Sequence, residues 1–246
     1  MRNDRQPRER ALAPLVGHIL LFALVTTTVF AITTTAVPII TEEQSSIQHE
    51  QAKDSLKEID AVLTTAAKTN QTGEHAVDVP AGTIQIGGTE AEITVSNATR
   101  THTFRSQPLK MATNDKEVVS EAGLIASTHE NPSRVPQIES TPTEVRVPDS
   151  DTYQMHFVTV NQTGTRNRIT NGQAGELEFQ ARSTGAAVST LEGGNMTVES
   201  EHPQMWQRYL GNHAAFGNVS REGTTVTAEI DTDTKIRISV SRLSVI

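Results

Sequence analysis

The sequence predicts an α+β chain in which a long amino-terminal membrane-plus-stalk helix carries an outer antiparallel β domain. Three observations predict it. Residues 1–10 are basic and run into an uncharged stretch from Ala11 to Thr41, and roughly twenty apolar residues suffice for a helix to cross the hydrocarbon core. Residues 42 to 69 then keep apolar side chains at helical separations. From Asn70 onward the texture changes to short alternating runs broken by Gly, Pro and Asn. The expected order is a basic leader (1–11), a transmembrane helix (12–41), an amphipathic stalk (42–70) and a β-rich extracellular domain (71–246).

Charge sets the expected orientation. Arg2, Arg5, Arg8 and Arg10 precede the apolar run, whereas Glu42 and Glu43 follow it, so the positive-inside rule places the amino terminus in the cytoplasm and the rest outside a single-pass span. The segment has three expected fates: a secretory signal removed at its outer end, a permanent anchor, or a leader cut at its inner end. Thr26, Thr27, Thr28, Thr33, Thr34 and Thr35 dilute its outer half. Their hydroxyls can bond back within one helix or across to a neighbouring one.

The junction Arg10-Ala11-Leu12-Ala13-Pro14-Leu15-Val16-Gly17-His18-Ile19-Leu20 resembles the class III leader of archaeal, particularly haloarchaeal, type IV pilins. The resemblance implies a cut by a prepilin peptidase between Ala11 and Leu12, with the apolar helix left attached. It also implies a pilin-like fold, contact with membrane lipid, and packing of that helix against other pilin-like subunits. The acidic residue that many bacterial pilins carry early in the mature helix is missing, with Val16 in that neighbourhood.

In the stalk, Ile47, Ala52, Leu56, Ile59, Leu63 and Ala67 form one apolar face. That face packs either on the chain's own β domain or in a coiled coil between chains. Glu50 and Lys53 stand at a pairing distance along the helix. Thr83–Ile86, Glu92–Val95 and Thr101–Phe104 alternate as half-buried strands do, and Gly87-Gly88 reads as a hairpin turn. Residues 106–151 read as a loop-rich connection with weak helix potential over Val118–Ile125 and short strands near Val135 and Val145. Tyr153–Val160 and Gly175–Ala181 are further strands of an antiparallel sheet.

The last quarter predicts a strand over Asn195–Ser200, a helix over Glu201–Leu210, and strands over Thr224–Ile230 and Lys235–Val240. Ser200 is the expected cap, and Pro203 is tolerated in the first turn. Met205, Trp206, Tyr209 and Leu210 share a face, favouring core packing over a ligand-binding aromatic pair. This strand–helix–strand order is similar to the outer region of haloarchaeal pilin-like proteins.

The chain of 246 residues has a net charge of -8 and no cysteine, which excludes disulfides and thiolate metal sites. Its acidity, with no basic stripe beyond the leader, excludes nucleic acid as the expected partner. Sequons at Asn70, Asn97, Asn161, Asn195 and Asn218 are the candidate N-glycosylation sites, each beyond the apolar run. The eight histidines are scattered without metal-ligand spacing, and Asp149-x-Asp151 and Asp231-x-Asp233 do not extend into a calcium loop. No catalytic, cofactor or metal residues are expected, and the chain reads as no enzyme. The expected function is a membrane-anchored pilin-like structural protein of the cell surface, a filament subunit or pseudopilin. The alternative is a solitary anchored extracellular domain that binds an envelope or protein partner.

Overall fold

The computed structural model describes residues 46–65, 73–79, 82–113, 116–129, 134–148, 150–162, 168–171 and 175–245, together with Phe22 and Thr27. Its elements are a helix α1 (residues 46–65), a helix α2 (Pro203–Asn212) and fourteen strands. The first seven strands are β1 (Gly73–Val79), β2 (Gly82–Ile86), β3 (Ala91–Ser96), β4 (Thr101–Ser106), β5 (Leu109–Thr113), β6 (Lys116–Glu121) and β7 (Leu124–His129). The others are β8 (Gln137–Ser140), β9 (Thr143–Arg146), β10 (Thr152–Gln162), β11 (Arg168–Asn171), β12 (Gly175–Glu199), β13 (Phe216–Glu222) and β14 (Thr225–Val245).

The expected α+β architecture, a long helix with a β domain at its end, is therefore corrected to a mostly β fold. Among the described residues no helix is long and apolar enough to cross a membrane. The single-pass anchor, the transmembrane-helix reading and the cell-membrane placement built on it are corrected accordingly. Residues 12–41, apart from Phe22 and Thr27, lie outside the described residues, as does the expected cleavage junction Ala11–Leu12. The chain divides into two compact units, Met1–Ile47 and Gln48–Ile246.

Eight strands form the larger sheet in the order β4-β3-β12-β14-β10-β9, with β1 on β12 and β13 on β14. The expected antiparallel pattern holds throughout except at its centre, where β10 runs parallel to β14 from Thr152↔Lys235 to Gln162↔Val245. The sheet curls until its fourth and tenth strands meet: Gln107 N–H donates to Val160 O at 2.8 Å, and Val160 N–H to Ser106 Oγ at 3.2 Å. A close approach fixes Gly194 in β12, because a Cβ there would stand 2.1 Å from Ser96 O. At that position only glycine fits.

The second sheet has six strands in the order β11-β2-β5-β6-β7-β8. Gly87-Gly88 thus does not close a hairpin, since β2 and β3 belong to different sheets and the glycines carry the chain between them. Val118–Ile125, read as weakly helical, is instead the hairpin β6–β7. Its two-residue turn, Ala122 (φ 53°) and Gly123 (φ 89°), has the left-handed backbone that matches strand twist. The alanine in that turn carries no signal that sequence patterning reads.

Two cores follow from strand alternation. One joins the curled sheet (Val95, Phe157, Met196, Ile236 among others) to Leu124 and Ala126 of β7 and to α2. The other joins α1, through Ala52, Leu56, Ile59 and Leu63, to Ile84, Met111, Val118 and Ile125 of the second sheet. In β7 the odd residue Ile125 enters the α1 core and its even neighbours enter the α2 core, so the second sheet is buried on both faces. From Ala52 to Leu63 the stalk's apolar face thus packs on the second sheet, whereas Ile47, expected on the same face, is exposed and Ala67 lies outside the described residues.

Candidate binding groove

Helix α2 begins as its residues dictate. Pro203 occupies the first turn, and Met205, Trp206, Tyr209 and Leu210 are buried, so the aromatic pair is core as expected. The cap differs from expectation: His202 holds the N-cap position without a side-chain cap bond. Ser200 Oγ accepts from His202 N–H at 2.8 Å and donates to Glu121 Oε2 at 2.7 Å. Trp206 Nε1–H donates to that same oxygen at 2.7 Å. Burial pushes the Glu121 carboxyl above its ordinary value, against the pull of these two donors. Its Oε1 is buried with no hydrogen-bond partner.

The far end of α2 is pinned to β9. Ala215 N–H donates to His213 Nδ1 at 3.0 Å, which leaves Nε2 as the protonated nitrogen facing Glu144 Oε2 at 2.6 Å. Between these fixed ends, the outer side of α2 and the segment leading into β8 enclose two hollows of about 300 and 310 Å³ that share Arg134, Pro136 and Gln204. Together they make one groove of the size that binding sites have.

Arg134, Arg208 and Arg221 line one hollow with Gln207. Arg208 Nη1–H donates to Pro136 O at 2.8 Å, and none of the three arginines has a carboxylate partner among the described residues. The other hollow is lined by Glu117, Glu201 and His202 together with the same Arg134. Thr89 and Lys110 hold the Glu201 carboxyl below its ordinary value, with Lys110 Nζ at 2.9 Å. Burial raises Glu117. Burial and the neighbouring Lys110 lower His202 to about 4, so its imidazole is neutral at pH 7 and adds no positive charge at that end.

A third hollow, about 70 Å³, opens where the curled sheet leaves a gap among Val95, Phe104, Leu191, Ile238 and Val240. It has room for about two waters and offers them few polar partners.

One cluster outside the groove contains the residue types of a hydrolase. His49 Nε2 lies 3.2 Å from Ser127 Oγ, and Ser127 Oγ–H donates to Glu139 Oε1 at 3.0 Å. The order is wrong for activating a nucleophile, because the carboxylate holds the serine rather than the histidine. Lys53 Nζ stands 3.3 Å from Glu139 Oε2 and 2.9 Å from Glu50, the pair that helical spacing predicts. Histidine, lysine and serine are all buried. The cluster docks α1 onto the second sheet.

The sequence-predicted modification sites are scattered. Asn97 sits in the β3–β4 turn, its Oδ1 accepting from Thr99 N–H, Thr99 Oγ1–H and Arg100 N–H. Asn218 is exposed at a β-bulge with φ 43° and donates to Glu229, Asn195 is exposed on β12, and Asn161 is half-buried on β10. Asn70 lies outside the described residues. Among the described residues no cluster of three or more His, Cys, Asp or Glu is placed to hold a metal. The groove arginines escaped the sequence reading because Arg134, Arg208 and Arg221 lie on three separate segments and form no local basic run.

No curated protein and no solved structure shows significant similarity to the chain. Over residues 10–246 it matches a family of unknown function, DUF7289, and with that coverage it belongs to the DUF7289 family.

Proposed function

We propose that this chain is a non-catalytic binding domain that engages a protein partner through the groove beside α2. The single observation that carries the reading is the gathering of Arg134, Arg208 and Arg221, without carboxylate partners, on one hollow of a chain whose net charge is -8. Like charges brought together repel unless a ligand of opposite charge is recruited. The His49–Ser127–Glu139 cluster is buried and ordered wrongly for activating a serine nucleophile, which argues against hydrolysis there.

Position-specific photocrosslinking in the native cells tests this. A photoreactive residue at Gln207, exposed on the groove, should yield a discrete protein adduct that the same residue at Thr232, exposed on β14 outside the groove, does not. Identical adducts at both positions, or none at Gln207, would refute the reading.

A further inference from the structure

We infer that the groove takes a short acidic segment of a partner protein, whose carboxylates meet Arg134, Arg208 and Arg221 and which brings an apolar side chain to Val135. The inference rests on the binding reading above and names the chemistry of its ligand. Charge is the first argument. Three guanidiniums line one hollow, all three residues are exposed, and none has a carboxylate partner among the described residues. A guanidinium fork is shaped for a carboxylate, and a bound anion relieves the repulsion among like charges held together. Arg208 is already oriented, because its Nη1–H donates to Pro136 O at 2.8 Å. The adjoining hollow does not cancel this field. Arg134 lines it too, Lys110 Nζ holds the Glu201 carboxylate at 2.9 Å, and burial favours the neutral form of Glu117.

The surroundings of the arginines select among anions. The chain as a whole carries 29 acidic against 21 basic side chains. A long uniform polyanion such as a nucleic acid or polyphosphate would therefore gain the arginine contacts in the hollow and meet net repulsion along the rest of its length. A short segment whose acidity is confined to the hollow does not. Val135 is the second argument. It is 67% exposed, lines the same hollow between Arg134 and Pro136, and is one of four large apolar side chains left exposed among the described residues. An inorganic anion or a sugar acid brings no alkyl group to that surface. An aliphatic residue set among acidic ones covers it while its neighbours reach the guanidiniums.

The test is calorimetric titration of the full chain in low-salt buffer, where exposed charges are least screened. The first probe is a peptide of two glutamates, a valine and two more glutamates, and the second has glycine in place of that valine. The third has lysines in place of the glutamates, and the fourth and fifth are inorganic polyphosphate and an oligoglucuronate. The first peptide should bind at least about ten-fold tighter than the lysine peptide, polyphosphate and oligoglucuronate, and about five-fold tighter than the glycine peptide. Arg134→Glu and Arg221→Glu, each at an exposed position outside the core, should weaken it about ten-fold with an unchanged melting temperature. The milder Arg221→Gln, with an expected loss of about three-fold, carries the test should neither charge reversal fold. Val135→Ser should remove the advantage of valine over glycine and leave the glycine peptide's affinity unchanged. Polyphosphate or oligoglucuronate binding as tightly as the first peptide, peptide binding that the arginine variants leave intact, a valine advantage that survives Val135→Ser, or no peptide binding overturns the acidic-segment inference. The binding reading then stands if Gln207 still gives its protein adduct, and both fall if it does not.

Discussion

Both helices among the described residues lay an apolar stripe on a sheet, and both do so over a buried glutamate, but the two glutamates are satisfied in opposite ways. Under α1, Glu139 faces the ammonium of Lys53, with Lys57 at 3.8 Å and Ser127 completing its shell. Burial opposes charge on Lys53, yet its hydrogen bonds to Glu50 and Glu139 prevail and hold its pKa above the ordinary lysine range. Under α2, Glu121 faces only neutral donors, Trp206 and Ser200, and burial drives it toward protonation. A buried ion pair is costly to break from one side, whereas a carboxyl among neutral donors can dispense with its charge. The α1 contact is therefore the more electrostatic of the two, and the α2 contact the more dependent on shape and on the indole.

The largest expected effect comes from removing the cation. Lys53→Ala should cost about 3 to 5 kcal/mol in urea denaturation, because it leaves Glu139 buried with only the more distant Lys57. A loss under 1 kcal/mol would show that the pair is solvated and that the contrast with α2 is not real. Next is Trp206→Phe, which withdraws an indole donor from Glu121 and leaves a gap in the core. About 2 to 3 kcal/mol is expected from equilibrium unfolding.

Asp60, on α1, sharpens the comparison through pH. Burial raises its carboxyl to about 6, so its protonated form is favoured in the folded chain. Such a raised acid contributes stability that is full below its unfolded value of 3.8 and is lost as pH rises through 6. Asp60→Asn should therefore stabilise the chain by about 2 kcal/mol at pH 7.5 and give no gain at pH 4, read from melting curves at the two pH values. His202 works in the opposite sense. Lowered from 6.5 to about 4, it contributes stability present above pH 6.5 and lost as pH falls toward 4. The Asp60→Asn variant should accordingly lose stability on acidification more steeply than the parent.

The smallest effect tests the neutral side of the contrast. Glu121→Gln keeps an oxygen for Trp206 and Ser200 and removes a charge that the site disfavours. A change within about 1 kcal/mol is expected. A loss as large as that of Lys53→Ala would mean that the α2 carboxylate is held as a charge after all.

Local patterns were readable where burial repeats with the period of the element. The faces of Ala52, Leu56, Ile59 and Leu63 and of Met205, Trp206, Tyr209 and Leu210 appear where periodicity places them, whereas Ile47 on the first face is exposed and in the strand at Thr101–Phe104 only Phe104 is buried. Legibility stopped where a residue serves two layers at once. Val118, Val119, Leu124, Ile125 and Ala126 are all buried because their sheet is covered on both sides, and an unbroken apolar run does not distinguish a helix from such a strand. The assignment of strands to sheets was also hidden, since Gly87-Gly88 has the same chemistry whether it folds a hairpin or carries the chain between layers. The groove was hidden more deeply, because three arginines on separate segments become neighbours only after α2 and the approach to β8 are in place.

The parallel pairing of β10 with β14 has a kinetic consequence. His156 and Ser239, joined at 2.8 Å, are separated by 83 residues, so β10 cannot acquire this neighbour until β12, α2 and β13 have been laid down. A contact of such separation is entropically late. Until it forms, one long edge of β10 stands open to any other extended chain. Slow, concentration-sensitive refolding is the outcome this topology brings with it, and dilution is the condition that favours the native pairing.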